Sequence, residues 1–274
     1  MGTMPDAVQA FDATADQFDQ RFGTWRSVVA QRDAVRRALL GAFPPGSSLI
    51  ELGAGTGEDA AFLAQRHRRV VLTDGSPRMC AVAAAKLAQA GCSPRTDVRC
   101  VTFEAFPAHA AQWAVAGEMF DGAFSNFAGL NCINDLGPVA RGLARVLRPG
   151  GRALVVLFGS WSPGEVVVEL LRGRPHHAVR RFTRGPVAAR LGGRAFTVRY
   201  PAPRQVAREC APWFRLERTR GVGIFVPPSA AEPWISRAPR LVAALALLDR
   251  LAARPLARLG DHVLLDLVRT EATP

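Results

Sequence analysis

The most constraining feature of the sequence is a glycine-rich turn between a short apolar run and a helical pattern. The apolar run is Ser48–Leu52, the pentapeptide GAGTG follows at residues 53–57, and helical periodicity continues to Gln65. Glycines lack a Cβ, so backbone amides can approach a ligand closely, and the start of a helix offers unpaired N–H groups. The sequence therefore predicts a strand, a ligand-binding loop and a helix in succession.

Strands and helices alternate along the chain after this turn. Strands are predicted at Arg69–Asp74, Asp97–Phe103, Asp121–Ser125 and Arg152–Phe158, and helices at Ser76–Ala90 and Asp135–Leu147. Further along, a helix is predicted at Val206–Phe214, a sixth strand at Arg215–Val226 and a last strand at His262–Arg269. Alternation with short connections implies an α/β fold, in which a mostly parallel Rossmann-like sheet carries helices on both faces.

An acidic residue ends the second predicted strand. A carboxylate at the position of Asp74 can accept hydrogen bonds from both ribose hydroxyls of a nucleoside. A nicotinamide fingerprint requires the order G-x-G-x-x-G, but here Gly57 comes one place early and Glu58 stands where the third glycine belongs. Asp59 follows directly, and two carboxylates would repel a pyrophosphate. The loop therefore favours a phosphate-free, cationic nucleoside such as S-adenosylmethionine (SAM).

From Leu49 to Phe158 the sequence resembles the class I SAM-dependent methyltransferases. Three motifs carry the resemblance: ELGAGTGED at residues 51–59, FDGAFSNF at 120–127 and RVLRPGGRALVV at 145–156. The resemblance implies an enzyme that uses SAM as its cofactor. Its reaction would be in-line transfer of the methyl group to a small-molecule acceptor.

The resemblance also implies a set of cofactor-binding residues. Glu51 and the three loop glycines would surround the methionine part of SAM, and Asp74 would hold the ribose. Thr102 occupies the position at which the family often has an acid that contacts adenine, so adenine contacts fall to Phe103 and Glu104. The complete set is Glu51, Gly53, Ala54, Gly55, Gly57, Asp74, Gly75, Phe103, Glu104, Ser125 and Asn126.

We expect one domain over residues 1–274, divided into regions by the position of the predicted sheet. Residues 1–45 would form an N-terminal helical cover and residues 46–158 the SAM-binding core. Ligands of open parallel sheets bind at the carboxyl ends of the strands. The insertions after strands five and six, residues 159–204 and 227–260, are therefore predicted to be a first and a second substrate lid.

His262 is the predicted general base. In the family the last strand runs antiparallel to its neighbours, so the resemblance places its first residues on the ligand-binding face. There Asp261 could orient the imidazole. A capping aspartate beside a structural histidine is the alternative, and His176 and His177 in the first lid are other candidates.

The first lid suggests an acidic and partly apolar acceptor. Between Leu170 and Arg208 there is no acidic residue, while ten arginines fall there: Arg172, Arg174, Arg180, Arg181, Arg184, Arg190, Arg194, Arg199, Arg204 and Arg208. Guanidinium groups bind carboxylate or phosphate in a bidentate manner. The predicted substrate-binding residues are Asn131, His176, Arg180 and Arg181. A solvated basic surface remains an alternative interpretation.

Charge and composition bear on the partner of the protein and on its cellular location. The net charge is +12, but 34 of the 35 basic residues are arginine, which a compositional bias explains, and no RNA-binding motif interleaves them with aromatic residues. Nucleic acid is therefore disfavoured as a partner. Four aspartates in the first 20 residues argue against a secretory signal, and no apolar run spans a bilayer, so we expect a cytoplasmic location.

Other functions stay open. The five scattered cysteines and five histidines do not suggest a metal site, so none is predicted. A non-methylating SAM-dependent enzyme, for example one that cyclises part of SAM, would share the same loop. An RNA or DNA methyltransferase and a non-catalytic SAM-binding protein are the remaining alternatives.

Overall fold

The computed structural model describes residues 4–67, 69–183 and 185–274. Arg184, one of the arginines of the first lid, lies outside the described residues. The strands are β1 Ser48–Leu52, β2 Arg69–Asp74, β3 Thr96–Cys100, β4 Phe120–Ser125, β5 Leu147–Phe158, β6 Val187–Leu191, β7 Arg194–Val198, β8 Phe214–Val222 and β9 His262–Arg269. The helices are α1 Asp6–Asp12, α2 Ala15–Phe22, α3 Arg26–Ala42, α4 Glu58–Ala64, α5 Pro77–Gln89, α6 Phe106–Val115, α7 Gly137–Val146, α8 Pro163–Leu171, α9 Pro175–Ala178, α10 Pro203–Cys210 and α11 Pro239–Ala252.

Seven of these strands form one sheet in the order β3-β2-β1-β4-β5-β9-β8. Strands β1 to β5 pair in parallel, whereas β9 is antiparallel to both of its neighbours. This arrangement confirms the predicted α/β fold with an antiparallel last strand. As a result, the carboxyl ends of β1, β2, β4 and β5 and the first residues of β9 meet at one edge of the sheet.

Helices cover both faces of the sheet, as the sequence predicts. On one face α3 and α4 contribute Leu39 and Leu63 to an apolar core, and on the other α6 and α7 contribute Phe106 and Leu143. The central strands are apolar on both sides, as expected for strands that are buried between two helical layers. None of the helices in the described ranges is long and apolar enough to cross a membrane.

Several boundaries differ from the predictions. The third strand ends at Cys100 rather than Phe103, and the sixth strand of the sheet ends at Val222 rather than Val226. The helix predicted over 206–214 is α10, which ends at Cys210 because Pro212 disfavours helical conformation in the residue before it. These shifts leave the order of the elements unchanged.

A hairpin in the first lid was missed by the sequence analysis. Strands β6 and β7 pair in antiparallel fashion and are joined by Gly192 and Gly193, which both have positive φ, +55° and +79°. Two glycines between two alternating segments are a recognised sequence signal for such a turn.

Candidate active site

The glycine loop has the left-handed backbone that its composition predicts. Gly53, Gly55 and Gly57 have φ values of +66°, +55° and +74°. A Cβ on Gly53 would lie 2.8 Å from the Phe103 ring, and one on Gly57 would lie 3.0 Å from the Ala83 methyl group. A Cβ on Gly55 would meet nothing within 4 Å. Two of the glycines therefore permit packing, and the third leaves backbone open to an incoming ligand.

Asp74 is fixed beside this loop at the carboxyl end of β2. One of its carboxylate oxygens accepts a hydrogen bond from the Gly55 amide at 2.8 Å, and the other accepts one from the Ser76 amide at 2.9 Å. Burial raises the pKa of Asp74, and these backbone hydrogen bonds oppose the rise. The structure thus brings together two of the predicted cofactor residues.

Glu51 supplies an unpaired acceptor below the loop. Its side chain is buried, and its Oε2 atom has no hydrogen-bond partner among the described residues. Burial, and next the charge of Asp59, raise the pKa of Glu51 well above its usual range. The Ser125 hydroxyl is likewise buried without a partner. An unsatisfied buried carboxylate fits a cationic ligand such as SAM, because a donor from the ligand would complete its hydrogen bonding.

Helix α3 neutralises the second acid of the loop motif. Asp59 is buried and binds Arg32 at 3.0 Å and Arg36 at 2.8 Å. It also accepts a hydrogen bond from the Asn126 side chain at 2.7 Å. The Asn126 amide therefore links the end of β4 to the start of α4, so this predicted cofactor residue already has a structural partner.

The N-terminal cover contacts the loop through aspartates that the sequence analysis used only as evidence against a secretory signal. Asp12 accepts hydrogen bonds from the Ser76 hydroxyl at 2.7 Å and the Arg78 amide at 3.0 Å. Asp19 accepts one from the Thr56 hydroxyl at 2.7 Å and pairs with Lys86 at 2.7 Å. The spacing of these acids could have indicated a face that binds the start of a helix.

The remaining predicted cofactor residues lie at different depths. The Phe103 ring is partly buried against Gly53, and Glu104 is exposed. A Cβ on Gly75 would lie 2.9 Å from Val8 in α1, so this glycine allows the cover to approach β2. No contact distinguishes Phe103 or Glu104 as the partner of adenine.

His262 lies where the resemblance implies. It is the first residue of β9, pairs in register with Phe158, and is buried. The imidazole stacks on the Phe158 ring with centroids 4.9 Å apart and meets the edge of the Phe127 ring at 5.8 Å. The centroid of the Tyr200 ring lies 5.8 Å from that of Phe158. We call these four residues the aromatic cluster.

The environment of His262 favours its neutral form. Burial lowers the pKa of the imidazole and the nearby Arg181 charge lowers it further, while Asp261 opposes both. The Nδ1 atom lies 3.4 Å from an Asp261 carboxylate oxygen, without hydrogen-bonding geometry. A neutral, buried imidazole can accept a proton.

Arg181 and Arg180 are bound by acidic residues rather than left free for a substrate. The Arg181 guanidinium is buried, pairs with Asp261 at 2.6 Å and with Glu165, and donates to the main-chain oxygen of Gly159 at 3.0 Å. Arg180 pairs with the same Glu165 at 2.6 Å. Glu165 lies before the acid-free segment, which starts at Leu170, so the sequence of that segment does not contain this partner. The Arg181 guanidinium therefore already has partners within the protein, and its role in substrate binding stays a prediction.

The two other predicted substrate residues differ in position. Asn131 is buried beside the aromatic cluster, where its side chain donates to the Arg199 carbonyl at 2.5 Å and accepts from the Phe158 amide at 3.1 Å. His176 is exposed on α9, and no contact joins it to the cluster. The structure thus brings Asn131 to the candidate site, in a structural role, and does not bring His176.

Tyr200 and the turn after β4 are features that sequence reasoning missed. Burial raises the pKa of Tyr200, and its ring lies 5.3 Å from the Arg181 guanidinium. Phe127 and Ala128 have positive φ, +49° and +64°, which is strained for residues with side chains. This strain positions the Phe127 ring against His262. No local pattern in the sequence indicates it, because the conformation depends on tertiary packing.

A family model described as a methyltransferase domain matches residues 49–151. No curated protein sequence matches the chain significantly. The fold is similar to that of a SAM-dependent methyltransferase from Mesorhizobium loti, with 17% identity and a TM-score of 0.56 over 87% of this chain and 98% of the other.

Two further structures share the fold. One is 1,6-didemethyltoxoflavin-N1-methyltransferase from Burkholderia thailandensis, solved with 1,6-didemethyltoxoflavin and S-adenosylhomocysteine. It has 19% identity and a TM-score of 0.54 over 97% of this chain and 88% of the other. The second is the [4+2]-cyclase SpnF, with 18% identity and a TM-score of 0.55 over 88% of this chain and 82% of the other. Identities this low show a common fold and do not by themselves assign a substrate.

Proposed function

Because the chain carries a SAM-dependent methyltransferase domain, we propose that it methylates a small, partly apolar molecule bound at the aromatic cluster. The observation that carries this proposal is the position of His262. Its imidazole is buried between Phe127 and Phe158, at the same sheet edge as the glycine loop. Aromatic rings suit a flat or apolar acceptor.

The residues of the loop would hold the cofactor. SAM supplies an activated methyl group on a sulfonium when it is bound. The unpaired Glu51 oxygen would accept a hydrogen bond from the ammonium group of SAM. The Asp74 carboxylate would accept hydrogen bonds from the ribose hydroxyls. The open backbone at Gly55 leaves space for this approach.

His262 would act as the general base. Since Nδ1 faces Asp261, we assign the proton of the neutral ring to Nδ1 and leave Nε2 as the acceptor. Nε2 would take the proton of an acceptor hydroxyl, and the oxygen would receive the methyl group as the sulfur–methyl bond breaks and neutral S-adenosylhomocysteine leaves. Asp261 would then stabilise the imidazolium, and Arg181 holds Asp261 in place from the other side.

The aromatic cluster and the lids would align the reactants and exclude water. Methyl transfer is an in-line displacement, so alignment supplies much of the catalysis. Arg180 and Arg181 are already paired with Glu165, so an acidic acceptor would have to compete with that carboxylate. Apolar contact is therefore the better supported basis of recognition.

The test is to incubate the full chain with SAM and a panel of small aromatic phenols and amines, and to analyse the products by mass spectrometry. The proposal expects S-adenosylhomocysteine and a methylated acceptor. It fails if methyl groups enter only RNA or DNA. The loss of S-adenosylhomocysteine formation on replacing Asp74 by Ala would tie the turnover to the loop.

A non-methylating reaction is the second candidate, because a [4+2]-cyclase shares the fold. Product analysis separates the two. Cyclisation of the aminobutyrate part of SAM would release methylthioadenosine, and a cycloaddition would leave SAM unconsumed.

A further inference from the structure

A cleft outside the candidate active site is lined by residues of α3, α11 and strand β8. Its volume is about 230 Å³. Ala30, Ala34 and Ala38 line it from α3, at a spacing of four residues that places them on one helix face. Ala246 and Ala253 line it from α11 and its C-terminal cap. Methyl side chains are too short to fill the space between the helices, so the cleft stays open.

Three arginines from three different elements line this cleft. They are Arg37 of α3, Arg220 of β8 and Arg250 of α11. None of the three forms an ion pair within 4.0 Å in the described part of the chain. By contrast, Arg32 and Arg36 on the same helix both bind Asp59. The cleft therefore concentrates positive charge that no neighbouring carboxylate neutralises directly.

The electrostatics of Arg37 agree with this geometry. Burial lowers the pKa of its guanidinium, and the charge of Arg250 lowers it further, so the two side chains lie close enough to repel each other. The exposed Asp33 opposes this effect in part. A bound anion would relieve the repulsion.

Among the described residues, Asp249 is the acid that lines the cleft, and main-chain amides already bind its carboxylate. It is buried and accepts a hydrogen bond from the Phe225 amide at 2.6 Å, with further main-chain hydrogen bonds from residues 223–226. Burial raises the pKa of Asp249. This carboxylate therefore anchors a loop and does not pair with the three arginines.

We infer that the cleft binds a small multivalent anion of the polyphosphate or polycarboxylate class. Guanidinium groups bind both kinds of oxyanion in a bidentate manner, and three of them can share one ligand that carries several charges. The volume falls below the roughly 300–1,000 Å³ typical of drug-sized ligand sites, which favours a small anion over a polymer. This inference is independent of the proposed function, because none of the three arginines belongs to the cofactor loop or the aromatic cluster.

The experiment titrates pyrophosphate and citrate separately into the full chain by calorimetry, at constant ionic strength. We expect saturable one-to-one binding of one or both probes. The variant Arg37→Gln/Arg250→Gln should weaken the binding at least tenfold. The matched control Arg240→Gln removes an exposed charge from the same helix α11 outside the cleft, and should leave the affinity unchanged.

A second variant keeps every charge and fills the space. Ala34→Leu places a larger side chain in the cleft and should also abolish binding, while a normal melting temperature shows that the chain folds. The inference is overturned if the wild type and both variants bind the probes equally well. It is also overturned if the probes bind no more tightly than sulfate and chloride, because either result would indicate an adventitious ion only. Binding of an RNA oligomer but of neither probe would overturn it as well.

Discussion

The carboxylates of Glu51 and Asp74 illustrate how a buried acid can destabilise the ligand-free protein and favour ligand binding. Both are buried beside the glycine loop, and burial raises the pKa of each. Asp74 has backbone amides as partners, whereas one Glu51 oxygen has none. A buried carboxylate without a partner destabilises the protein until a cationic ligand supplies one.

Replacing Glu51 by Gln should stabilise the SAM-free protein while weakening SAM binding. The folded-state pKa of Glu51 lies above its unfolded value near 4.3, so wild-type stability falls as pH rises above that value. The variant should lose the pH dependence of stability that Glu51 causes. Its free energy of unfolding at pH 7 should be about 1 kcal/mol higher than that of the wild type. Urea denaturation from pH 5 to pH 8 measures both. Glu271→Gln, at an exposed position, is the control, and an unchanged slope in Glu51→Gln would contradict the account.

Replacing His262 by Asn should reduce kcat by roughly 10²- to 10⁴-fold, the usual contribution of a general base, and leave SAM affinity unchanged. Because the pKa of His262 is lowered below its ordinary value, wild-type activity should rise with pH below about 6.5 and be level at neutral pH. Rates measured from pH 5 to pH 8 test both points. His177→Asn, an exposed histidine of α9, should behave as wild type. Equal kcat values for the two variants would exclude His262 as the base.

The sequence predicts local residue roles better than partners that are distant in the chain. The positive φ of the loop glycines and the position of Asp74 at the end of β2 follow from short motifs. The partners of Arg181 do not, because Glu165 lies before the arginine-rich segment and Asp261 lies 80 residues after Arg181. Such pairs become visible only when the sheet brings β5 and β9 together.

At the level of elements, the N-terminal cover holds the start of α5. The Asp12 carboxylate binds both the Ser76 hydroxyl and the Arg78 amide, and Asp19 binds Thr56 in the glycine loop. The cover therefore stabilises the loop conformation that leaves Gly55 open.

The double variant Asp12→Ala/Asp19→Ala should weaken SAM binding about tenfold, since it removes charge-assisted hydrogen bonds that together contribute on the order of 1–2 kcal/mol. Calorimetry with S-adenosylhomocysteine measures the change. Asp6→Ala is the control, because it removes an exposed acid of α1 whose side chain has no hydrogen-bond or ion-pair partner among the described residues. If both variants bind equally well, the cover does not support the loop.

Elements with strong local patterns were predicted most accurately. Strand β2 has the predicted bounds, Arg69–Asp74, and the helix predicted over Ser76–Ala90 is α5, Pro77–Gln89, with Ser76 as its N-cap. The hairpin β6–β7 was missed although its two-glycine turn is a local signal. Composition dominated the interpretation of that segment.

At the scale of the whole molecule, the net charge of +12 is not spread evenly. In the first lid Arg180 and Arg181 pair with Glu165, and Arg199 pairs with Glu209, the residue directly after the acid-free segment. Among the described residues, the arginines of the α3–α11 cleft have no ion-pair partner. Part of the charge in the segment that looks most basic in the sequence is therefore paired with carboxylates that flank it.

The buried network around Arg181 should make the first lid and the sheet unfold as one unit. Arg181 joins Glu165 of α8 to Asp261 beside β9, so its loss leaves the buried Asp261 without its guanidinium partner and leaves Glu165 with Arg180 alone. Breaking a buried pair from one side costs about 3–5 kcal/mol, which for a chain of this size lowers the melting temperature on the order of 10 °C. Calorimetry should show one transition for the wild type and a lower one for Arg181→Met. Adding Asp261→Asn should recover part of the loss, because it removes the stranded charge. A separate early transition confined to the lid would contradict the single-domain interpretation.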